Sequence, residues 1–317
     1  MADRDLDVVC LGEALVDLLP DRRGRLDEQD RFEVCSGGAP ANVATGLARL
    51  GLRVAFRGVL GDDAFGRLLV RKLSAEGVEC RFRATPAAPT GLWFVALDER
   101  GERSFFSPNG RISADKLLEP ADVDPALLSR AAWLHCGTSA HATPRGGEAL
   151  RQAVRAAREA GARVSFDPNV RAHLWHDLSD LRRLCDDVLP GCDLVKLSED
   201  ECEACTGERE PGRAAARLAD LGVGLAVVTL GPGGALARRG AATFRAPAER
   251  VEVVDTTGAG DGFVAGLLAR LARLGPLESV PAAEVERALA FANRVAARVC
   301  TRAGAVAGLP RAGDVSV

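Results

Sequence analysis

Short apolar runs alternate with amphipathic helical patterns along most of the 317 residues, and this alternation narrows the possible folds more than any other property of the sequence. Residues 8–11, 54–59, 133–136, 164–166, 194–197 and 225–230 read as strands. Between them, residues 42–50, 64–75, 147–160, 199–205 and 213–221 carry apolar positions at helical spacing, with Gly77, Gly161 and Gly207 as stops. Strand and helix taking turns imply βαβ crossovers, hence a mostly parallel sheet with helices on both faces: an α/β fold in three layers.

Residues 21–36 and 91–107 break this rhythm, being polar, turn-rich and strand-like, with Phe32 and Val34 in one and Trp93, Phe94, Val95 and Leu97 in the other. They read either as surface hairpins or as a small sheet standing off the main one, which in a one-site enzyme would form a lid. No internal repeat or low-complexity linker divides the chain. One domain over residues 1–317 is therefore expected, with lid segments at about 13–37 and 90–110.

Several function classes drop out. A net charge of -3 leaves no basic field for nucleic acid. No apolar run is long enough for a bilayer, and the acidic start MADRDLD is unlike a secretion signal, so a cytoplasmic protein without membrane partners is expected. Nine cysteines, an odd number, argue against a disulfide framework. Cys202-x-x-Cys205 has no second pair at zinc spacing, and His173-x-x-His176 lacks a metalloprotease pattern; solvent-facing or capping roles suit the histidines better. None of the three lysines follows a glycine, which closes the P-loop route, and Leu236 stands where a dinucleotide fingerprint after Gly231 needs its last glycine.

What remains is the stretch Asp255-Thr256-Thr257-Gly258-Ala259-Gly260-Asp261, which leads straight into a small-residue apolar run. This is a loop feeding a helix N-terminus, where unpaired N–H groups and the helix dipole favour an anion and glycines allow it to approach. Asp261 beside such a nest either caps its own helix or takes a proton from a hydroxyl attacking a phosphoryl group.

The motifs around this stretch resemble the ribokinase/pfkB family of carbohydrate kinases, most closely its fructokinase-like subgroup. Residues 255–263 match the family's C-terminal signature, and Ser36-Gly37-Gly38-Ala39-Pro40-Ala41-Asn42 resembles its N-terminal one. Gly12-Glu13-Ala14-Leu15-Val16-Asp17 and the run 58–66 are two further family elements, in the family's order. The resemblance implies a ribokinase-like three-layer α/β/α fold with a small β-sheet lid. It also implies transfer of the γ-phosphate of ATP to a primary hydroxyl of a monosaccharide.

Carried over by position, the resemblance makes Asp261 the base and Gly258, Ala259 and Gly260 the anion hole. Asp17, Gly37, Gly38 and Asn42 fall where the family holds its sugar, although Asn42 alone also reads as a helix cap near Ala41. Thr229, Gly231 and Gly234 fall at the nucleotide loop, with Asn293 near the base. Ser198-Glu199-Asp200-Glu201 occupies the place of an N-x-x-E element, so Glu201 is assigned to Mg2+ while Ser198 departs from the pattern. Asp255 and Thr257 fall where relatives bind a monovalent cation, making K+ an expected activator. A homodimer through the lids is a further expectation.

For the sugar itself, Asp167-Pro168-Asn169-Val170-Arg171 resembles both fructokinases and 2-keto-3-deoxygluconate kinases. Arg171 either grips a carboxylate or phosphate, or ties its loop to the sheet, and tethering is the favoured reading. Gly110 stands where the subgroup has an arginine, with Arg111 one place on, so Arg111 is a second candidate sugar contact. Phe94 or Phe106 is a candidate cover for the sugar. Fructose leads, 2-keto-3-deoxygluconate follows, and a catalytically silent sugar sensor on the same fold is the reading from another class.

Overall fold

The computed structural model describes residues 4–22, 24–97, 103–109 and 112–315. Its strands are β1 (Leu6–Leu11), β2 (Leu15–Pro20), β3 (Phe32–Gly37), β4 (Val54–Gly61), β5 (Glu79–Thr85), β6 (Leu92–Leu97), β7 (Arg103–Phe106), β8 (Ala131–Cys136), β9 (Arg163–Phe166), β10 (Leu194–Ser198), β11 (Leu225–Thr229), β12 (Ala235–Arg239) and β13 (Ala242–Ala246). The helices are α1 (Ala39–Arg49), α2 (Ala64–Ala75), α3 (Pro125–Ser129), α4 (Pro144–Glu159), α5 (Leu178–Val188), α6 (Cys202–Thr206), α7 (Pro211–Asp220), α8 (Ala259–Leu271) and α9 (Ala282–Val299).

Nine strands form the central sheet in the order β13-β12-β11-β10-β9-β8-β1-β4-β5, parallel except for the β12 and β13 edge. The apolar runs read from the sequence are continuous because both faces of this sheet are covered. Within β1, Val9 and Leu11 pack among helices α4, α5 and α7, while Val8 and Cys10 point into the other core with α1, α8 and α9. Strand order reverses between β1 and β8, and a crevice opens beside the carboxyl ends of the strands at such a switch point.

The two segments that break the rhythm build a second sheet of four strands, in the order β3-β2-β6-β7. Residues 21–22 and 24–31 form bends, irregular backbone and a short 3-10 helix (Leu26–Glu28), not strand; the strand that precedes them, β2, is what pairs with β3 and β6. Lys72 of α2 donates to the Val34 carbonyl at 2.6 Å and holds β3 against the main body.

Element ends differ from expectation by local capping. Helix α4 begins three residues early because Thr143 accepts from the Gly146 N–H and Pro144 fits the first turn. The helix expected near 199–205 is split into a 3-10 turn (Glu199–Glu201) and α6, since Ser198 and Glu201 cap one another. Helices α5 and α9, absent from the sequence reading, do carry helical spacing, burying Leu181, Leu184, Cys185 and Val188 in one and Val285, Ala288, Leu289 and Ala292 in the other; the β12–β13 hairpin carries no clear strand pattern of its own.

Candidate active site

The site assembles at the carboxyl ends of β1, β8, β9 and β10, around a cavity of about 260 Å³. One wall is the N-terminus of α8. Gly258 is its cap residue at φ 76°, and a Cβ there would stand 2.6 Å from the Ala305 side chain, so the loop needs glycine. The Ala259 N–H closes a turn onto Thr256 O at 3.2 Å and the Gly262 N–H returns to Gly258 O. No backbone carbonyl among the described residues takes the N–H groups of Gly258, Gly260 and Asp261, which leaves these donors for an anion. Of the three residues expected to form the nest, Ala259 alone spends its N–H on the turn.

Asp261 is not a helix cap. It sits in the first turn of α8, 6% exposed, and its side chain faces across the cavity. Asn42 Nδ2 donates to its Oδ2 at 2.8 Å and Asn169 Nδ2 to its Oδ1 at 3.2 Å. Nor does Asn42 cap α1, whose cap residue is Gly38; it lies inside the helix and is aimed at Asp261. Burial pushes the Asp261 carboxyl up to about 6, while the Asn42 hydrogen bond pulls it down. A carboxylate with that affinity for protons is ionised at neutral pH and still able to accept one.

Beneath the glycine loop lies Lys196, buried, with Nζ 3.1 Å from Asp167 Oδ2 and 4.0 Å from Glu201 Oε2. Burial opposes its charge, but the two carboxylates outweigh that and hold the ammonium above its ordinary range. A Cβ on Gly260 would be 3.2 Å from Lys196 Nζ, so the cation lies directly under the anion-binding backbone.

The opposite wall is the small sheet. Asp17 of β2 and Trp93 of β6 are register partners and both line the cavity. Burial and the nearby Asp261 charge push the Asp17 carboxyl up to about 7. Gly37 does not line the cavity; its place behind Asp17 is set by contact, a Cβ there standing 2.2 Å from Asp17 Oδ2. Gly38 does line it, and starts α1 at φ 97°. Phe94 points to the other face of this sheet, packing edge-on against Phe32 at 5.1 Å and beside Phe106 at 6.2 Å. Neither Phe94 nor Phe106 covers the cavity. Trp93 does, because successive side chains of a strand alternate faces.

Other expected residues fall as follows. Arg171 is exposed at the cavity rim and donates to the adjacent Val170 carbonyl at 3.3 Å; among the described residues no hydrogen bond ties it to the sheet. Arg111 and Gly110 lie outside the described residues. Thr257 lines the cavity; Asp255 stands behind it, accepting from the Thr257 N–H and Oγ and, at 2.7 Å, from the Gly304 N–H. Glu201 accepts the Val170 and Ser198 N–H groups at 2.6 and 2.7 Å. Thr229 at the end of β11, Gly231 and Gly234 in the following turn lie outside the cavity. Asn293 of α9 spends its amide on the Ala246 and Pro247 carbonyls, both at 3.0 Å, and is likewise outside it. His173 is solvent-facing as expected, and Cys202 and Cys205 are buried thiols. Among the described residues no cluster of three or more His, Cys, Asp or Glu could hold a metal ion, and no helix is long and apolar enough to cross a membrane.

Sequence reasoning missed Asn169, Lys196, Glu13 and Lys116, all of which line the cavity. Glu13 is buried, accepting the Ala39 and Ala140 N–H groups, with burial pushing its carboxyl up to about 7. Lys116 Nζ is 2.7 Å from Ser139 O and 2.9 Å from Asp115. One signal was available: in a chain with 41 basic residues and only three lysines, two of the three face this cavity.

Comparison with known proteins bears on this geometry. Residues 5–312 match the model of the pfkB family carbohydrate kinases. The chain is 42% identical over 308 residues to a fructokinase of Klebsiella pneumoniae, covering 96% of each. It superimposes on the fructokinase of Xylella fastidiosa with bound ATP at a TM-score of 0.88 and 33% identity, covering 97% of this chain and 96% of that one. A double mutant of the Vibrio cholerae O395 fructokinase in fructose-, ADP- and potassium-bound form gives 0.84 and 34%, covering 98% and 97%.

Proposed function

Because the chain belongs to the pfkB family of carbohydrate kinases, and is thus a phosphotransferase acting on a sugar hydroxyl, we propose that its substrates are fructose and ATP and that the cavity holds the sugar with its reactive primary hydroxyl at Asp261. The observation that carries this reading is the buried Asp261 carboxylate, aimed by two amides at the mouth of an unpaired helix N-terminus. The names and bound ligands of relatives at 33–42% identity support the choice of fructose and ATP.

In the proposed reaction the hydroxyl proton passes to Asp261 as the oxygen bonds to the γ-phosphorus, and the bond from that phosphorus to the bridging oxygen breaks to release ADP. The Gly260 and Asp261 N–H groups, with Lys196 beneath them, stabilise the charge on the transferring group. Asn42 and Asn169 hold the carboxylate in place. Asp17 and Gly38 bind the sugar, and the small sheet acts as the lid. Thr229, Gly231 and Gly234 lie at the carboxyl end of the next strand over, where the nucleotide would extend; Asn293 shapes the β13 exit beside it.

The donor set fits Mg2+ held through water. Each Glu201 oxygen already accepts one backbone N–H, which leaves lone pairs for water and not a bare ligand cage. When bound, the ion neutralises nucleotide phosphate charge. K+ beside Asp255 and Thr257 is proposed on the potassium-bound relative, with Asp255 as the fixed counter-charge. A homodimer through the lids is proposed on the Phe32–Phe94–Phe106 cluster, whose Phe106 is 55% exposed. A second reading, 2-keto-3-deoxygluconate as substrate, is favoured by one observation: Arg171 at the cavity rim is placed to meet a sugar-acid carboxylate. ADP release measured with fructose and 2-keto-3-deoxygluconate side by side decides between them, and failure of both, along with other ketoses, aldoses and nucleosides, would sink the kinase reading.

A further inference from the structure

We propose that Trp93 and His173 form an aromatic wall on which the C–H face of the sugar ring seats, and that this wall is a determinant of sugar affinity. The inference rests on the reading of the cavity as the sugar site. Among the described residues lining the cavity, these two carry the only rings. They come from different parts of the molecule. Trp93 belongs to β6 of the small sheet, while His173 lies in the loop after β9 on the main body. Their ring centroids are 5.3 Å apart at an interplanar angle of 60°, an edge contact across the seam between the two sheets.

The chemistry of a monosaccharide explains why such a wall matters. Its hydroxyl rim needs donors and acceptors, which Asp17, Asn42 and Asp261 supply on the remaining sides. Its C–H face is apolar and gains nothing from them. Trp93 stands beside Asp17 in register on the neighbouring strand, so a carboxylate and an indole share one face of the small sheet. A ring lying on the indole presents its edge hydroxyls to that carboxylate. His173 backs the indole from the main body, so the wall is complete only while the small sheet is seated on it.

Two measurements test this. Trp93→Ala is expected to raise the KM for fructose about tenfold, ~1.4 kcal/mol, with the loss falling chiefly on KM; His173→Ala is expected to raise it about threefold, and Trp93→Phe to restore most of the affinity. Trp133 is fully buried and Trp175 nearly so, leaving Trp93 to report the cavity. Fructose without nucleotide should therefore change the tryptophan emission of the wild type and of Asp261→Asn, and leave Trp93→Phe unchanged. Fructose turnover with an unaltered KM in the Trp93 and His173 variants overturns the wall. If wild type turns over no sugar but fructose still shifts Trp93 emission, the kinase reading falls and the wall stands; if neither occurs, both fall. Should Trp93→Ala fail to fold by circular dichroism, Trp93→Phe emission and the KM of His173→Ala, on its exposed loop, carry the test.

Discussion

The two walls of the cavity are built on opposite plans. The main-body wall is polar, buried and hydrogen-bonded within itself: Asp261 is held by Asn42 and Asn169, Lys196 by Asp167, and Glu201 by two backbone N–H groups, while Asn42 Oδ1 finds no hydrogen-bond partner among the described residues. The small-sheet wall offers a carboxylate, an indole and a partly open rim, and meets the body through Val16, Leu18, Val34 and Leu92 on the core shared with α1 and α8, together with polar and ring contacts such as Lys72 to Val34 and Trp93 to His173. A buried hydrogen-bonded network holds the positions that phosphoryl transfer needs. On the proposed reading this second sheet is the lid that admits the substrate. On that reading, chemistry belongs to the body and selection to the small sheet.

The sharpest way to break that comparison is Asp261→Asn. A loss of roughly 10² or more in kcat is expected, with fructose binding kept in a nucleotide-free titration; near-normal turnover would remove the base from the body wall. Next comes Lys196→Met, which leaves the buried Asp167 without its cation. A loss of about 3–5 kcal/mol of stability is expected, measured by denaturant unfolding, together with weakened turnover.

Asn42→Ala sharpens the role of the amides. Its hydrogen bond holds the Asp261 carboxyl down against burial, so the acid limb of the kcat/KM profile, expected near pH 6 in the wild type, should move upward in the variant. A limb that stays in place separates Asn42 from the base.

A smaller effect tests the other wall. The Asp17 carboxyl rises from 3.8 to about 7 on folding, so between those values the folded chain holds the extra proton and stability falls as pH rises. Asp17→Asn removes that slope: its melting temperature should drop less than that of wild type between pH 5 and 8. Its KM for fructose should rise as well. The smallest change is expected from Arg171→Ala, within about threefold in KM on fructose and larger on 2-keto-3-deoxygluconate if the rim guanidinium reads a sugar acid.

Much of the fold was legible because both-face burial writes itself as continuous apolar runs, and helix ends were marked at Gly77, Gly161 and Gly207, each at positive φ. The alanine- and arginine-rich β12–β13 hairpin was not, since it lacks the β-branched pattern that announces a strand. At the site, motif positions pointed to Asp261 and Asn42, and the geometry brings those two together. Their bond could not be read from spacing, because α1 and α8 meet only through tertiary packing. The expectation of Phe94 or Phe106 as the cover, where Trp93 lines the cavity, shows a finer limit: a strand's identity was visible, but the register that decides which face looks inward is set by its partner β2.

The Asn42–Asp261 bond joins residues 219 positions apart. Its reach depends on α1 and α8 lying so close that a Cβ on Gly46 would come within 2.7 Å of the Ala265 methyl. During synthesis, then, Asp17, Asn42 and Trp93 leave the ribosome long before α8, and the cavity they line with Asp261 is complete only once α8 docks. A chain interrupted before α8 would carry most of the sugar-facing residues and no base, leaving an unfinished protein unable to consume ATP.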